Sequence, residues 1–254
     1  MTNNKKVFAV IMAAGKGTRI GAQNKPKVMF EVAGKPIIGW AIEPFVKLKE
    51  KGLVDRVITV VGYLGNQIID YLGEKSEFVW QKEQLGTAHA VRCAEELIGS
   101  EDGFTLITNG DHALYSSETF EKLIDKAKSS GATLTFATVV SERFENYGRV
   151  IRNGQNRVAS IVEVPEATEE ELKIREKSPS IFVVDNVWLF KHLPKIPMSS
   201  VKKEYYVNVI VEMAIREGEK VETVEIQNID EAQGINTEED QKLVEKVLLE
   251  RSNG

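Results

Sequence analysis

The sequence predicts an α/β protein whose central sheet is mostly parallel and is flanked by helices. Apolar runs typical of buried strands alternate with helical patterns over residues 1–140, and such alternation produces right-handed crossovers and a parallel sheet. Hydrophobic residues make up 42% of the chain and charged residues 28%, which is enough apolar material for a large core. No repeat and no linker rich in proline, glycine or serine divides the 254 residues. We therefore expect a single domain over residues 1–254.

Five apolar runs carry the strand prediction in the first half of the chain. They are residues 7–14, 56–62, 78–80, 104–111 and 132–140. The segments between them have the apolar spacing of helices. These helical segments are residues 35–52, 65–73, 87–99 and 117–131. Pro44 lies inside the first of them and is expected to kink or split that helix, because proline removes a backbone hydrogen bond.

The pattern changes after residue 140. Residues 148–153 and 157–165 indicate two short strands joined by a polar Asn-Gly-Gln-Asn turn, which predicts a hairpin. The charged segment 166–180 is predicted as surface loop with some helix. Two further helices are expected, over residues 205–216 and 237–251.

Charge, cysteine content and hydropathy exclude several functional classes. The net charge of −5 argues against nonspecific nucleic-acid binding. The one cysteine, Cys93, leaves no intramolecular disulfide and fits a reducing compartment. No apolar run approaches the length of a membrane span. Residues 1–15 resemble a signal peptide only loosely, and cleavage there would remove the first strand. We therefore expect a cytoplasmic protein with no nucleic-acid or membrane partner.

A glycine-rich loop with several cations follows the first predicted strand. Gly15 and Gly17 allow a tight turn in which backbone N–H groups approach a ligand closely, and Arg19 and Lys27 add positive charge. Free N–H donors with fixed cations suit a polyanion, most simply a phosphate chain. Two alternatives remain open. One is a dinucleotide site, for which only Glu31 has roughly the required spacing; the other is a plain strand-to-helix turn with solvated lysines.

Two more polar groups lie near predicted strand ends. Gln81 and Gln84 precede Gly86, Thr87 and a helix, and carboxamides that both donate and accept suit the edge of a nucleobase. The alternative is a helix N-cap at Thr87 with exposed glutamines. Asp111 ends the fourth strand, where open sheets bind ligands and where a carboxylate can hold Mg²⁺. The alternative for Asp111 is a helix or turn cap.

Taken together and in order, these segments resemble the uridylyltransferase domain of bacterial N-acetylglucosamine-1-phosphate uridyltransferases. The segments are AAGKGTR with PK, QLGTAHA, NGD, YGRV, IVE, EYY and GIN, within residues 7–249. The resemblance implies a Rossmann-like sheet of the nucleotide-diphospho-sugar transferase type, with a sugar-binding hairpin region in the second half. It also implies two small-molecule substrates, a nucleoside triphosphate and a sugar 1-phosphate. With Mg²⁺ as cofactor, these react with each other to give a nucleotide sugar that is used as a cell wall precursor.

The resemblance assigns roles to individual residues. Residues 1–140 become the nucleotide-binding half and residues 141–254 the sugar- and metal-binding half. The nucleotide-binding residues are Ala13, Ala14, Gly15, Gly17, Gln81, Gln84, Gly86 and Thr87. The catalytic cations that contact phosphates are Arg19 and Lys27, and the Mg²⁺ ligands are Asp111 and Asn236. The sugar-binding residues are Gly148, Glu163 and Ser178.

The chain departs from its relatives at two places, and the first of them concerns the sugar. Ser178-Pro179-Ser180 stands where they have Asn-x-Gly, and Asn208 and Val209 stand where they have Thr and Asp. Another hexose 1-phosphate, or a relative that binds nucleotides without turnover, therefore remains an alternative. The trimer of the bifunctional relatives is organised by a β-helix that this sequence lacks, so a monomer or weak dimer is expected.

Overall fold

The structure, a computed structural model, describes residues 5–17 and 24–252. The strands are β1 Lys6–Met12, β2 Glu31–Val32, β3 Lys35–Pro36, β4 Arg56–Val61, β5 Glu77–Trp80, β6 Gly103–Asn109, β7 Leu134–Val140, β8 Gly148–Arg152, β9 Val158–Val162, β10 Glu176–Ser178, β11 Phe182–Asp185 and β12 Val221–Glu225. The helices are α1 Ile37–Glu50, α2 Asn66–Leu72, α3 Thr87–Cys93, α4 Glu95–Ile98, α5 Ser117–Ser130, α6 Glu169–Leu172, α7 Asn186–His192, α8 Val209–Arg216 and α9 Glu238–Ser252. The predicted alternation of strands and helices in the first half is confirmed.

One ten-stranded sheet forms the centre of the fold, in the order β5-β4-β1-β6-β11-β7-β10-β8-β9, with β12 paired to β7. The pairs among β5, β4, β1 and β6 are parallel, as is the pair of β12 with β7. Strands β11, β10 and β9 are antiparallel to their neighbours. The mostly parallel sheet is confirmed, and the antiparallel strands belong to the second half, where short connections such as the β8–β9 hairpin replace crossover helices.

Alternate residues of β1 enter two different cores. Val7, Ala9 and Ile11 pack with α1, α2 and α5 on one face of the sheet. The residues between them pack with α3, α7 and α8 on the other face. Burial on both faces is what the unbroken apolar run of β1 predicts for a central parallel strand. Met12 lies opposite Val60 of β4 and Asn109 of β6, so the carboxyl ends of these three strands meet at one edge.

Three sequence predictions are wrong in detail. Pro44 does not split α1, which is continuous over Ile37–Glu50; Phe45 packs against Phe120 with ring centroids 4.5 Å apart, and burial of this kind holds the helix across the proline. The predicted helix 87–99 is two helices, α3 and α4, that meet at Ala94. The helix expected from residue 205 begins at Val209, because residues 205–207 bind α3 instead.

The charged segment 166–180 contains an interior strand as well as loop and helix. Strand β10 lies between β7 and β8, and its Lys177 and Ser178 are buried. Lys177 Nζ donates to the carbonyl oxygens of Ser141 at 2.6 Å and Arg143 at 2.5 Å. These bonds satisfy the buried ammonium group, which explains how so polar a sequence enters the sheet. No helix in the described part of the chain has the length and apolar character needed to cross a membrane.

Candidate active site

A cleft of about 250 Å³ opens at the carboxyl ends of β1, β5 and β6. It is lined by Met12, Ala13, Ala14, Gly15, Lys27, Val28, Gln81, Gln84, Gly86, Thr87, Ala90, Asn109, Asp111 and Glu204. The position is the one where open α/β sheets bind ligands. Most of the residues predicted to bind a nucleotide therefore share one cavity, while Arg19 lies outside the described residues.

The two glycines of the loop after β1 have different reasons to be glycine. A Cβ at Gly15 would meet nothing within 4 Å, so this position leaves the backbone open to the cleft. Gly17 has φ +68°, and a Cβ there would collide with Cβ of Lys27. Gly17 therefore allows the stem of Lys27 to lie directly against the loop. Gly15 thus leaves the backbone accessible from the cleft, and Gly17 makes room for the Lys27 side chain.

Lys27 holds two oxygen atoms that come from distant parts of the chain. Its Nζ donates to Asp111 Oδ2 and, at 3.1 Å, to Asn236 Oδ1. Burial by itself would raise the pKa of Asp111, but the charges and hydrogen bonds of Lys27 and His112 hold that pKa well below its usual range. Asp111 accepts from the side chains of Lys27 and His112, and it is not the N-cap of any helix in the described part of the chain.

These oxygen atoms fit a divalent cation. A carboxylate and an amide carbonyl that already converge on one ammonium group are the hard ligands that Mg²⁺ takes. Within residues 5–17 and 24–252, no three His, Cys, Asp or Glu side chains form a metal-binding group. Mg²⁺ commonly binds through one or two protein oxygens together with substrate phosphates, so Asp111 and Asn236 could hold it in that way.

Hydrogen bonds within residues 81–86 hold the loop that carries the two glutamines. Gln81 is buried, and its Nε2 lies 3.0 Å from the carbonyl oxygen of Gly86, to which it donates, and 3.1 Å from Nδ1 of His89. Gln84 is exposed and donates from Nε2 to the carbonyl oxygen of Gln81 at 3.1 Å. The Gln81 amide group thus shapes the wall of the cleft, while Gln84 has a carboxamide at its mouth.

Gly86 and Thr87 bind a segment from the second half of the chain. Gly86 has φ +106°, and a Cβ there would lie 2.6 Å from both N and O of Tyr205. The N–H of Ala88 donates to the Tyr205 carbonyl at 2.9 Å, and Thr87 Oγ1 accepts from the N–H of Val207 at 2.9 Å. The N-cap is Gly86, without a side-chain cap, so the alternative of a Thr87 N-cap is wrong. The close backbone approach at Gly86 is to Tyr205.

This contact brings an acid into the cleft that sequence reasoning did not single out. Glu204, which precedes Tyr205, is one of the lining residues. Its only signal in the sequence is its place at the start of the EYY segment. The first and second halves of the chain therefore both contribute to the cavity wall.

The predicted sugar-binding residues form a second cluster. Ser178 pairs in register with Gly148, and a Cβ at Gly148 would lie 3.3 Å from Nδ2 of Asn208. Asn208 Nδ2 donates to Glu163 Oε1. The structure thus brings Gly148, Glu163 and Ser178 together with Asn208, a residue noted in the sequence only as a departure.

Two polar groups in this cluster are imperfectly accommodated. Burial raises the pKa of Glu163, the negative charges of Glu166 and Glu204 raise it further, and donation from Asn208 opposes the shift. Asn208 is 3% exposed, and its Oδ1 has no hydrogen-bond partner among the described residues. A buried acceptor without a donor is rare in folded proteins.

Comparisons with known proteins agree with this architecture. The sequence profile of a family described as nucleotidyl transferase matches residues 8–193. The bifunctional protein GlmU of Bacillus licheniformis is 38% identical over 91% of this chain and 50% of its own length. GlmU of Enterococcus faecalis is 37% identical over 97% of this chain and 53% of its own length. The chain spans about half the length of these curated relatives.

A solved structure confirms the predicted α/β fold. A UDP-glucose pyrophosphorylase complexed with UDP-glucose matches with a TM-score of 0.76 over 97% of this chain and 99% of its own, at 17% identity. The resemblance predicted from the order of the sequence motifs is confirmed by the GlmU matches. Because the family profile covers most of the sequence, this chain belongs to the nucleotidyl transferase family.

Proposed function

We propose that this protein transfers a uridylyl group from UTP to a sugar 1-phosphate and releases pyrophosphate. N-acetylglucosamine 1-phosphate is the sugar phosphate that we propose, because the resemblance of the sequence motifs implies it. The observation that carries the proposal is the convergence of Lys27, Asp111 and Asn236 beside the open backbone of Gly15 in one cleft. A cation, a carboxylate and a glycine-rich loop together suit a metal-bound triphosphate.

The proposed reaction needs charge control more than proton transfer. A phosphate oxygen of the sugar 1-phosphate attacks the α-phosphate, and the bond from the α-phosphate to pyrophosphate breaks. The attacking oxygen is already anionic near neutral pH, so no general base is required. Lys27 would stabilise the phosphate charge, with Arg19 proposed for the same task, while the loop at Ala13, Ala14 and Gly15 positions the nucleotide. Mg²⁺ held by Asp111 and Asn236 would neutralise phosphate charge when bound.

The shape of the nucleotide site supports uracil as the base. Ala14 lines the cleft, and we propose that its methyl group narrows the slot for the base toward a pyrimidine. Gln84 offers both a donor and an acceptor at the mouth of the cleft. A site that hydrogen-bonds one base edge rejects another edge strongly, because polar groups are left unpaired.

The sugar preference is proposed to be shallower than the base preference. Ser178 has a shorter side chain than the asparagine of the relatives, and loss of an amide contact costs about 1–3 kcal/mol. Glucose 1-phosphate or another hexose 1-phosphate could compete at that level. We further propose one domain of residues 1–254 that is cytoplasmic and acts as a monomer or weak dimer.

The test is pyrophosphate release from UTP, CTP, GTP and ATP, each with a panel of sugar 1-phosphates. UTP should be used fastest, and activity should vanish with chelator and return with Mg²⁺. Faster turnover of GTP or ATP would overturn the base assignment, and a strong preference for an unacetylated hexose phosphate would overturn the sugar assignment. UTP binding without turnover of any pair would instead identify a non-catalytic nucleotide-binding relative.

A further inference from the structure

His112 connects the Asp111 carboxylate to the second half of the chain. The imidazole is 4% exposed, and its Nδ1 lies 2.8 Å from Asp111 Oδ1 while its Nε2 lies 2.9 Å from the Tyr147 hydroxyl. The ring stacks on Tyr115 with centroids 4.9 Å apart and planes at 10°. Both nitrogens and one face of the ring are therefore engaged, although His112 has no part in the function proposed above.

The Asp111 carboxylate fixes the direction of one of these two bonds. An ionised carboxylate only accepts, so His112 Nδ1 is the donor to it. The Tyr147 hydroxyl, which bonds to His112 Nε2, also lies 2.7 Å from the carbonyl oxygen of Ala232 and accepts from the N–H of Gly234 at 3.2 Å. The imidazole therefore links the two halves of the chain through one nitrogen each.

The segment on the far side of this link carries the other proposed metal ligand. Gly234 packs so closely that a Cβ would lie 2.9 Å from Cε1 of His112. The next residue, Ile235, donates its N–H to the Asp111 carbonyl at 3.0 Å, and Asn236 follows. Residues 232–236 are thus held against Asp111 and His112 through backbone, hydroxyl and imidazole contacts.

We propose that His112 is a positioning residue for the cation site formed by Asp111 and Asn236. By donating to Asp111 Oδ1, it leaves Oδ2 directed at Lys27 and at a bound divalent ion. Through Tyr147 it holds the segment that carries Asn236 in reach of the same ion. Partners of this kind, outside the ligands themselves, change metal affinity considerably. The inference rests on the metal site of the proposed function.

The test measures Mn²⁺ affinity directly, using Mn²⁺ alone and the electron paramagnetic resonance signal of the free ion. His112→Leu removes both hydrogen-bonding nitrogens, His112→Asn keeps an amide donor where Nδ1 lies, and His112→Gln keeps an amide group where Nε2 lies. We expect His112→Leu to weaken Mn²⁺ binding by about 10–100-fold. His112→Asn should recover most of that loss, and His112→Gln should recover little of it. Equal affinities for His112→Asn and His112→Leu, or wild-type affinity in His112→Leu, would overturn the proposal.

His192 offers a matched control elsewhere in the fold. It is also buried, with Nδ1 2.6 Å from the Trp188 carbonyl oxygen and Nε2 2.9 Å from Glu217 Oε1. His192→Asn should lower thermal stability without changing Mn²⁺ affinity. If His112→Leu does not fold, the comparison of His112→Asn with His112→Gln still decides, because each keeps one amide group.

The test of His112 and the test of the proposed reaction can fail independently of each other. Pyrophosphate release by the wild-type protein tests the reaction, whereas the order of Mn²⁺ affinities tests His112 with no substrate present. The expected order in a protein that does not turn over UTP would support the positioning role and refute the proposed reaction. A wild-type protein that binds no Mn²⁺ would overturn the positioning role whatever its turnover.

Discussion

The proposed phosphate end of the site and the cluster of predicted sugar-binding residues differ in how well their polar groups are paired. Around Asp111, both carboxylate oxygens have partners, in Lys27 and His112. In the sugar cluster, Asn208 Oδ1 is buried without a partner, and burial raises the pKa of Glu163. The Asp111 carboxylate is thus organised before substrate arrives, whereas the Asn208 and Glu163 side chains are less well paired. We therefore expect changes at the first region to affect rate and changes at the second to affect sugar choice.

The largest expected effect follows from breaking the saturated region at Asp111. Asp111→Asn keeps the side-chain shape but removes the charge that faces Lys27 and the proposed ion. We expect kcat to fall about 10³-fold, the upper scale of one lost electrostatic group, and the Mg²⁺ requirement to rise. A Mg²⁺ titration of pyrophosphate release measures both. A titration curve identical to that of the wild type would reduce Asp111 to a structural residue.

Removal of the cation should have the next largest effect. Lys27→Ala deletes the donor to Asp111 Oδ2 and Asn236 Oδ1, and we expect kcat to fall about 10²-fold. Lys25 is the control, because it is close in sequence but lies over the Phe30 ring, 5.8 Å from its centroid. Lys25→Ala should stay near wild-type turnover. Equal losses in the two variants would point to general charge and not to the cleft.

A change at Asn208 should alter the sugar and leave the nucleotide alone. Asn208→Ala removes the donor to Glu163, and we expect KM for the sugar 1-phosphate to rise about tenfold, since a lost hydrogen bond to a charged group costs about 1.5–3 kcal/mol. KM for UTP should not change. Asn186 is a matched control, since it is buried and bonded to Thr105 and Glu101. Asn186→Ala should affect stability only. A rise in KM for UTP in Asn208→Ala would contradict the proposed separation between sugar and nucleotide binding.

The smallest effect concerns stability and pH at Glu163. Folding raises the pKa of Glu163, so this carboxyl binds protons more readily in the folded state than in the unfolded state. The ionised carboxyl therefore lowers the free energy of unfolding as pH rises above the pKa of the unfolded chain. Glu163→Gln should therefore raise Tm at pH 7, and the difference should disappear near pH 4, below the ordinary pKa of about 4.3. Thermal melts at both pH values measure this. A variant less stable than wild type at pH 7 would show that the Glu163 charge is stabilising.

Local patterns were sufficient to predict much of the fold of residues 1–140. An apolar run covered on both faces predicts β1, and the glycines and cations after it predict a loop that lines a cleft. Asp111 could be located at the cleft because the carboxyl ends of parallel strands share one edge. The assignments of bound base, phosphate, metal and sugar stay predictions, and the resemblance supplied several of them, including Asn236.

Other features arise from contacts between residues far apart in the chain, and only the folded structure decides them. His112 lies 35 positions from Tyr147, and Tyr147 lies 85 from Ala232, so no local pattern signals their link. Strand β10 has a polar sequence that predicts a surface loop. In the folded chain it lies inside the sheet, because Lys177 Nζ donates to two backbone carbonyl oxygens. The alternation of apolar and helical segments was enough for the fold class, because it depends on short-range spacing. The bonds that orient the site depend on which distant groups meet, because a buried polar group must be paired wherever the chain brings a partner.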